Sequence, residues 1–172
     1  MKSVVALSVL LALSTSPITQ GRDNSRAVQN SLVIDRCVEL ASVKFRIHSD
    51  LLRAILLTEG GGAGARNKNT SNGTYDYGHG QINDVNVPEL ESHGVTKDAL
   101  RHDPCTNIGS AAWLLSKHLI RAGQWGVENP NPEKFWKAVG NYHSKTKKYN
   151  DIYQRKVWEN LQIIQMARMT TQ

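Results

Sequence analysis

The stretch Leu51-Leu52-Arg53-Ala54-Ile55-Leu56-Leu57-Thr58-Glu59-Gly60-Gly61-Gly62 decides the fold. It is built from strong helix formers and carries no glycine or proline before the triplet. It therefore predicts an apolar helix over Asp50–Glu59, capped by Ser49 or His48 and stopped at Gly60. Upstream, Leu32, Val33, Cys37, Leu40 and Ala41 recur at helical spacing and predict a first amphipathic helix over Leu32–Phe45. Downstream, residues 60–83 are rich in Gly, Asn and Thr and lack a helical period, with an extended piece expected around Thr74–Tyr77. Helical pieces resume at Val87–Ser92 and Thr96–Leu100. Asp103 and Pro104 then read as N-cap and N1 of a long helix ending at Gly123, with Ala111, Ala112, Leu114, Leu115, His118 and Leu119 on its apolar face. After a loop at Asn129–Pro132, one helix runs through Phe135, Trp136, Ala138 and Val139, and a last one from about Tyr149 to Met166. The fold class is mainly α (α+β), with a small irregular or β lobe.

The chain has 172 residues, 40% hydrophobic and 21% charged, the composition of one globular domain rather than a disordered or low-complexity chain. Its one long apolar run, Val4–Leu13, is about half the ~20 residues a membrane-spanning helix needs, so an integral membrane protein is not expected. That run follows Met1-Lys2-Ser3 and precedes Ser14-Thr15-Ser16-Pro17, the layout of a secretory signal peptide, and Ala12-Leu13-Ser14 offers a small-x-small cleavage site. The alternative is an uncleaved anchor or a buried N-terminal helix. The expected organisation is a signal peptide over 1–20, a polar leader over 21–30 and a single domain over 31–172. Export would place the protein in the periplasm or outside the cell. In that oxidising setting Cys37 and Cys105 are the one intramolecular pair available. Their bridge would remove denatured-state entropy worth roughly 4 kcal/mol, the alternative being two buried thiols.

Glu59 is where chemistry is expected. A carboxylate that ends an apolar helix loses hydration on the helix side, which raises its pKa, and it faces open glycine backbone that a substrate can approach. Those are the needs of a general acid that protonates a leaving oxygen near neutral pH. The segment Asn67-Lys68-Asn69-Thr70-Ser71-Asn72-Gly73-Thr74-Tyr75-Asp76-Tyr77-Gly78-His79-Gly80-Gln81-Ile82-Asn83 follows. Its amides, hydroxyls and aromatic rings suit a carbohydrate groove, although Asn/Gly turns of this kind also satisfy their own backbone. The six histidines show no metal-ligand spacing, so no metal is expected, and no Gly-rich phosphate motif follows a strand, so neither is a cofactor. Trp113, Trp125, Trp136 and Trp158 read as core residues before sugar platforms, Trp136 least clearly.

These residues together resemble the lysozyme-like lytic transglycosylases. Within that family they resemble the small exported enzymes associated with conjugation, type III or type IV secretion and pilus systems. Cys37 with Asp103-Pro104-Cys105-Thr106-Asn107-Ile108 resembles that subgroup's two-cysteine framework. Leu51–Glu59 resembles the helix ending in the catalytic glutamate. The Asn67–Asn83 segment resembles the one that ends Gly-Leu-Met-Gln-Ile-Asn in the family, and Ala138-Val139-Gly140-Asn141-Tyr142-His143-Ser144 the motif holding the active-site tyrosine. The match is collinear over about Cys37–Thr146. Gly60 stands where the family usually has Ser, and His79-Gly80 where it has Leu-Met, so Gly80 is expected to leave room and His79 to add a donor.

The resemblance implies a lysozyme-like fold and cleavage of the N-acetylmuramic acid–N-acetylglucosamine β-1,4 bond of peptidoglycan to a 1,6-anhydro product. Glu59 would act as acid and then base. Gln81 and Asn83 would hold the glycan, and Tyr142 would position the N-acetyl group or the acid. Asp76 more simply orders its loop. Two other readings stay open: a lysozyme-type muramidase using Asp76 or Asp84, and a non-catalytic wall-binding or assembly protein. The charge fits an anionic partner. Lys+Arg number 21 against 15 Asp+Glu, and from Glu133 to Gln172 eight basic residues face three acids. With a signal peptide expected, an anionic wall polymer or an acidic face of an envelope machine fits better than nucleic acid.

Overall fold

The structure is a computed structural model that describes residues 17–170. The expected signal run Val4–Leu13 lies outside the described residues. The chain divides into two compact units, residues 1–32 and 33–172. What is described of the first is the start of helix α1 (Pro17–Phe45), and the second holds everything after it. The helix begins earlier than its apolar pattern predicts, and residues 27–33 are exposed. Its buried stripe is also rotated from the expected one. Cys37, Val38 and Ala41 are buried, whereas Leu32, Val33 and Leu40 are exposed.

The helix α2 (Ser49–Glu59) starts at His48, whose Nδ1 accepts the Asp50 N–H at 3.2 Å, and buries Leu51, Leu52, Ala54 and Ile55. It ends where Gly60 turns left-handed at φ 63°, a conformation that costs other residues strain, and the Gly60 N–H closes on the Leu56 carbonyl. Serine, the family's usual residue here, would have to adopt that strained backbone. Three short strands follow: β1 (Arg66–Lys68), β2 (Tyr75–Tyr77) and β3 (Ile82–Asn83), in an antiparallel sheet of order β1-β2-β3. Asn67 lies opposite Asp76, which in turn lies opposite Asn83. The extended piece expected around Thr74–Tyr77 is β2, whereas β1 and β3 are too short to show an alternation that can be read from sequence.

Helices α3 (Val87–Ser92) and α4 (Lys97–His102) lead to the long α5 (Pro104–Arg121), capped by Asp103, whose side chain accepts from the Cys105 and Thr106 N–H groups. Asn131 caps α6 (Pro132–Gly140), and α7 (Lys147–Thr170) closes the chain. One core joins these elements through Leu52 and Ile55, Ile82, Leu100, Ile108 and Leu115, Val139, and Val157. The result is the mainly helical, lysozyme-like fold with a small sheet. Cys37 and Cys105 are bonded, tying α1 to the first turn of α5. Among the tryptophans, 113, 125 and 136 are half-buried against the core. Trp158 departs from the expectation: it lies 45% exposed on α7, touching Trp136 edge-on, because the buried stripe of that helix runs through Asn150, Tyr153 and Val157 instead. Among the described residues no helix is long and apolar enough to cross a membrane.

Candidate active site

Glu59 stands at the last residue of α2, half-buried, and the Tyr153 hydroxyl of α7 donates to its Oε1 at 2.6 Å. Burial pushes the Glu59 carboxyl up to about 7; the Tyr153 hydrogen bond opposes this, the charge of Asp76 adds to it, and Lys156 offsets it. Burial likewise keeps the Tyr153 and Tyr142 hydroxyls protonated, each well above the ordinary phenol range, with the Glu59 charge reinforcing it. The Tyr153 ring stacks with two others: Tyr142 at 6.2 Å between ring centroids and His143 at 5.2 Å. A Tyr153→Phe variant should therefore let the Glu59 pKa rise by about one further unit, since a hydrogen bond to the charged form is lost. The alkaline limb of the activity profile should move up by that amount. A limb left in place would show that Tyr153 does not tune the acid.

The sheet is held against this acid by two close approaches. A side-chain carbon at Gly61 would sit 2.0 Å from the Gly78 carbonyl oxygen and 2.5 Å from Gln81 Nε2, so only glycine lets the turn after α2 lie on the β2–β3 connection. Asn107 of α5, buried to 1% exposure, ties the same connection from the other side. Its Nδ2 donates to the carbonyls of Tyr77 (2.8 Å) and Leu100 (2.7 Å), and its Oδ1 accepts from the Gly80 N–H at 2.7 Å.

The expected site residues divide into groups. Gln81 has a left-handed backbone (φ 47°); its Nε2 donates to the Gly78 carbonyl, and its Oε1 accepts from Asn67 Nδ2 at 2.7 Å. The Asn83 amide donates to Asp76 Oδ1 and to the Thr74 hydroxyl. Tyr142 does not touch Glu59 by hydrogen bond; its hydroxyl donates to the Gly80 carbonyl at 2.7 Å. The room expected at Gly80 is absent, because a side-chain carbon there would lie 2.7 Å from Ala111 Cβ and 3.0 Å from the Tyr142 hydroxyl. His79 Nε2 is buried and has no hydrogen-bond partner among the described residues, and burial lowers its pKa. Asp84 is fully engaged. Burial alone would raise it, but Lys97, the Tyr75 N–H and the Tyr77 hydroxyl hold it below the usual carboxylate range. Asn69 and Asn72 serve their own turns, accepting from the backbone N–H groups of Ser71 and Thr74.

Sequence reasoning missed Tyr153 and Asn107 as contributors. The signal for Tyr153 was its place with Asn150 and Val157 on one helical stripe, three and four residues apart. Asn107 stands in the quoted cysteine motif, but nothing local marks it as buried. A cavity of about 590 Å³ lies elsewhere, against Leu40, Phe45 and Trp113 beside the disulfide, and holds none of these residues.

A helix-end glutamate whose carboxyl is raised to about 7 by burial stands beside a small polar sheet in a helical, lysozyme-like frame. The sequence of residues 36–162 matches the family model described as Transglycosylase SLT domain, and the chain belongs to that family. It is similar to the peptidoglycan-binding-like protein of Escherichia coli O157:H7, 31% identical over 121 residues that cover 66% of this chain and 66% of that protein. It is also similar to protein IpgF of Shigella flexneri, 32% identical over 128 residues (69% and 78%). The invasion protein IagB of Salmonella typhimurium is 31% identical over 128 residues (72% and 74%).

Proposed function

We propose that the protein is a peptidoglycan lytic transglycosylase in which Glu59 is the single acid and base. The observation that carries this reading is the Glu59 carboxyl itself, held by Tyr153 and raised to about 7 by burial, so that it is substantially protonated at neutral pH. The Glu59 proton passes to the glycosidic oxygen as the bond from the muramic acid C1 breaks, with the substrate's N-acetyl group assisting departure. The same carboxylate then takes the proton from the sugar's 6-hydroxyl as that oxygen bonds to C1. No water is consumed, and the product is a 1,6-anhydro sugar. In this reading Gln81 and Asn83 would hold amide and hydroxyl groups of the glycan, with His79 a further contact, and the Tyr142 hydroxyl fixes the Gly80 backbone.

A second reading, a muramidase, is favoured by one observation: the charge of Asp76 reaches Glu59. The carboxylate would then steer a water to C1. Mass spectrometry of digested wall separates the two. Transglycosylase products are lighter than hydrolysis products by the mass of one water, and reducing-end products alone would establish the muramidase. The likeness to an invasion protein and the expected signal peptide support export and a role in opening the wall locally for a secretion, conjugation or pilus apparatus.

A further inference from the structure

A second pocket, of about 350 Å³, lies between the end of α5 and α6, lined by His118, Arg121, Lys134, Lys137, Asn141 and Lys145. Four of these six are permanent cations, and none of the six is an acid. Among the described residues Arg121, Lys134, Lys137 and Lys145 form no ion pair. Glu89 feels Arg121 but is itself paired with Lys117, and Glu133, at the start of α6 beside Lys134, does not line the pocket. His118 is kept neutral by burial and then by Arg121, Lys145 and Lys117, which hold it down to about 4. It therefore faces the pocket as an uncharged ring able to give or take a hydrogen bond, as the Asn141 amide is. Cations gathered without a counter-charge around a concave space are an unfilled anion site. Lysine charges spread over several turns suit separated carboxylates better than one compact group.

The pocket lies along α5 from the connection that carries Gly80. Asn141 on its wall precedes Tyr142, whose hydroxyl holds Gly80. On α5, His118 lies two turns beyond Ala111, the residue against Gly80, which is about 10 Å along the axis. An extended peptide of four residues reaches about 13 Å.

We propose that this pocket binds the carboxylates of the peptide stem carried by the glycan strand lying against Glu59, so that the enzyme selects stem-bearing strands over stripped ones. The inference rests on the glycan-strand reading of the site, and the test separates the two. Fluorescent glycan strands, with stems intact or removed by an amidase, are titrated against the wild-type chain and against a Lys134→Gln/Lys137→Gln/Lys145→Gln variant, and turnover is followed in parallel. Intact strands should bind wild type about tenfold more tightly than stripped ones, as several exposed charge pairs acting together would give. The preference should shrink in high salt and vanish in the triple variant, while turnover of stripped strands stays at the wild-type rate. Equal binding of both strands by wild type, or a preference the triple variant keeps, overturns the proposal. Absence of turnover on either strand would count against the Glu59 mechanism and leave the binding comparison to decide the stem site.

Discussion

The Glu59→Gln variant should clear cell wall about 10³-fold more slowly than wild type while folding normally, because the amide can still accept from Tyr153 but has no proton to give. Wild-type activity should itself fall as pH rises through about 7, where the acid form of Glu59 is lost. The same substitution has an opposite effect on stability. The Glu59 carboxyl binds its proton more tightly folded (about 7) than unfolded (4.5). Stability is therefore complete below pH 4.5 and declines as pH rises through about 7, since the folded state must then hold a poorly hydrated charge. The shift corresponds to about 3 kcal/mol. Glutamine removes that cost, so the variant should melt several degrees above wild type at pH 8 and converge with it near pH 4. Calorimetry at the two pH values checks this. Equal melting temperatures at pH 8 would show that Glu59 is not desolvated, and unchanged wall clearing would remove it from the mechanism.

The second large effect is expected at Asn107. Replacing it with Ala strands the Tyr77 and Leu100 carbonyls and the Gly80 N–H in a buried place. Each such group costs about 1–3 kcal/mol, so a total of at least about 3 kcal/mol is expected, or a fall of roughly 10 °C in melting temperature. The loss should also reach activity, since the connection released carries His79, Gly80 and Gln81. Wall clearing measured well below the new melting point should therefore fall too. A variant that melts early but cleaves normally when folded would show that Asn107 supports the core without positioning the site.

Much of this arrangement could be read from residues alone, for physical reasons that differ by element. The helix ending at Glu59 and the capped start at Asp103-Pro104 were legible because caps, glycine stops and apolar runs act within a turn or two. The left-handed Gly60 follows from neighbours in the chain, whereas the apolar helix before Glu59 signals its rise and residues as distant as Tyr153 tune it. The sheet was less legible, since its strands are two or three residues long and polar. Its geometry comes from contacts such as Asn67 with Gln81 and Asn107 with Gly80 that no local pattern encodes. The first helix misled in another way: Leu32, Val33 and Leu40 are apolar yet exposed, because the disulfide at Cys37 fixes which stripe faces inward. Room at position 80 was misjudged from residue size, when Ala111 and Tyr142 decide it from elsewhere in the chain.

Tyr153 and Glu59 are 94 residues apart, and their hydrogen bond joins the second helix to the last. A nascent chain leaves the ribosome N-terminus first, so its acid exists long before the group that tunes it. Chains cut short of residue 153, or with α7 undocked, would carry Glu59 without its partner or its rings. The hydrogen bond that tunes Glu59 is thus among the late contacts of the polypeptide, made once α7 docks on α2.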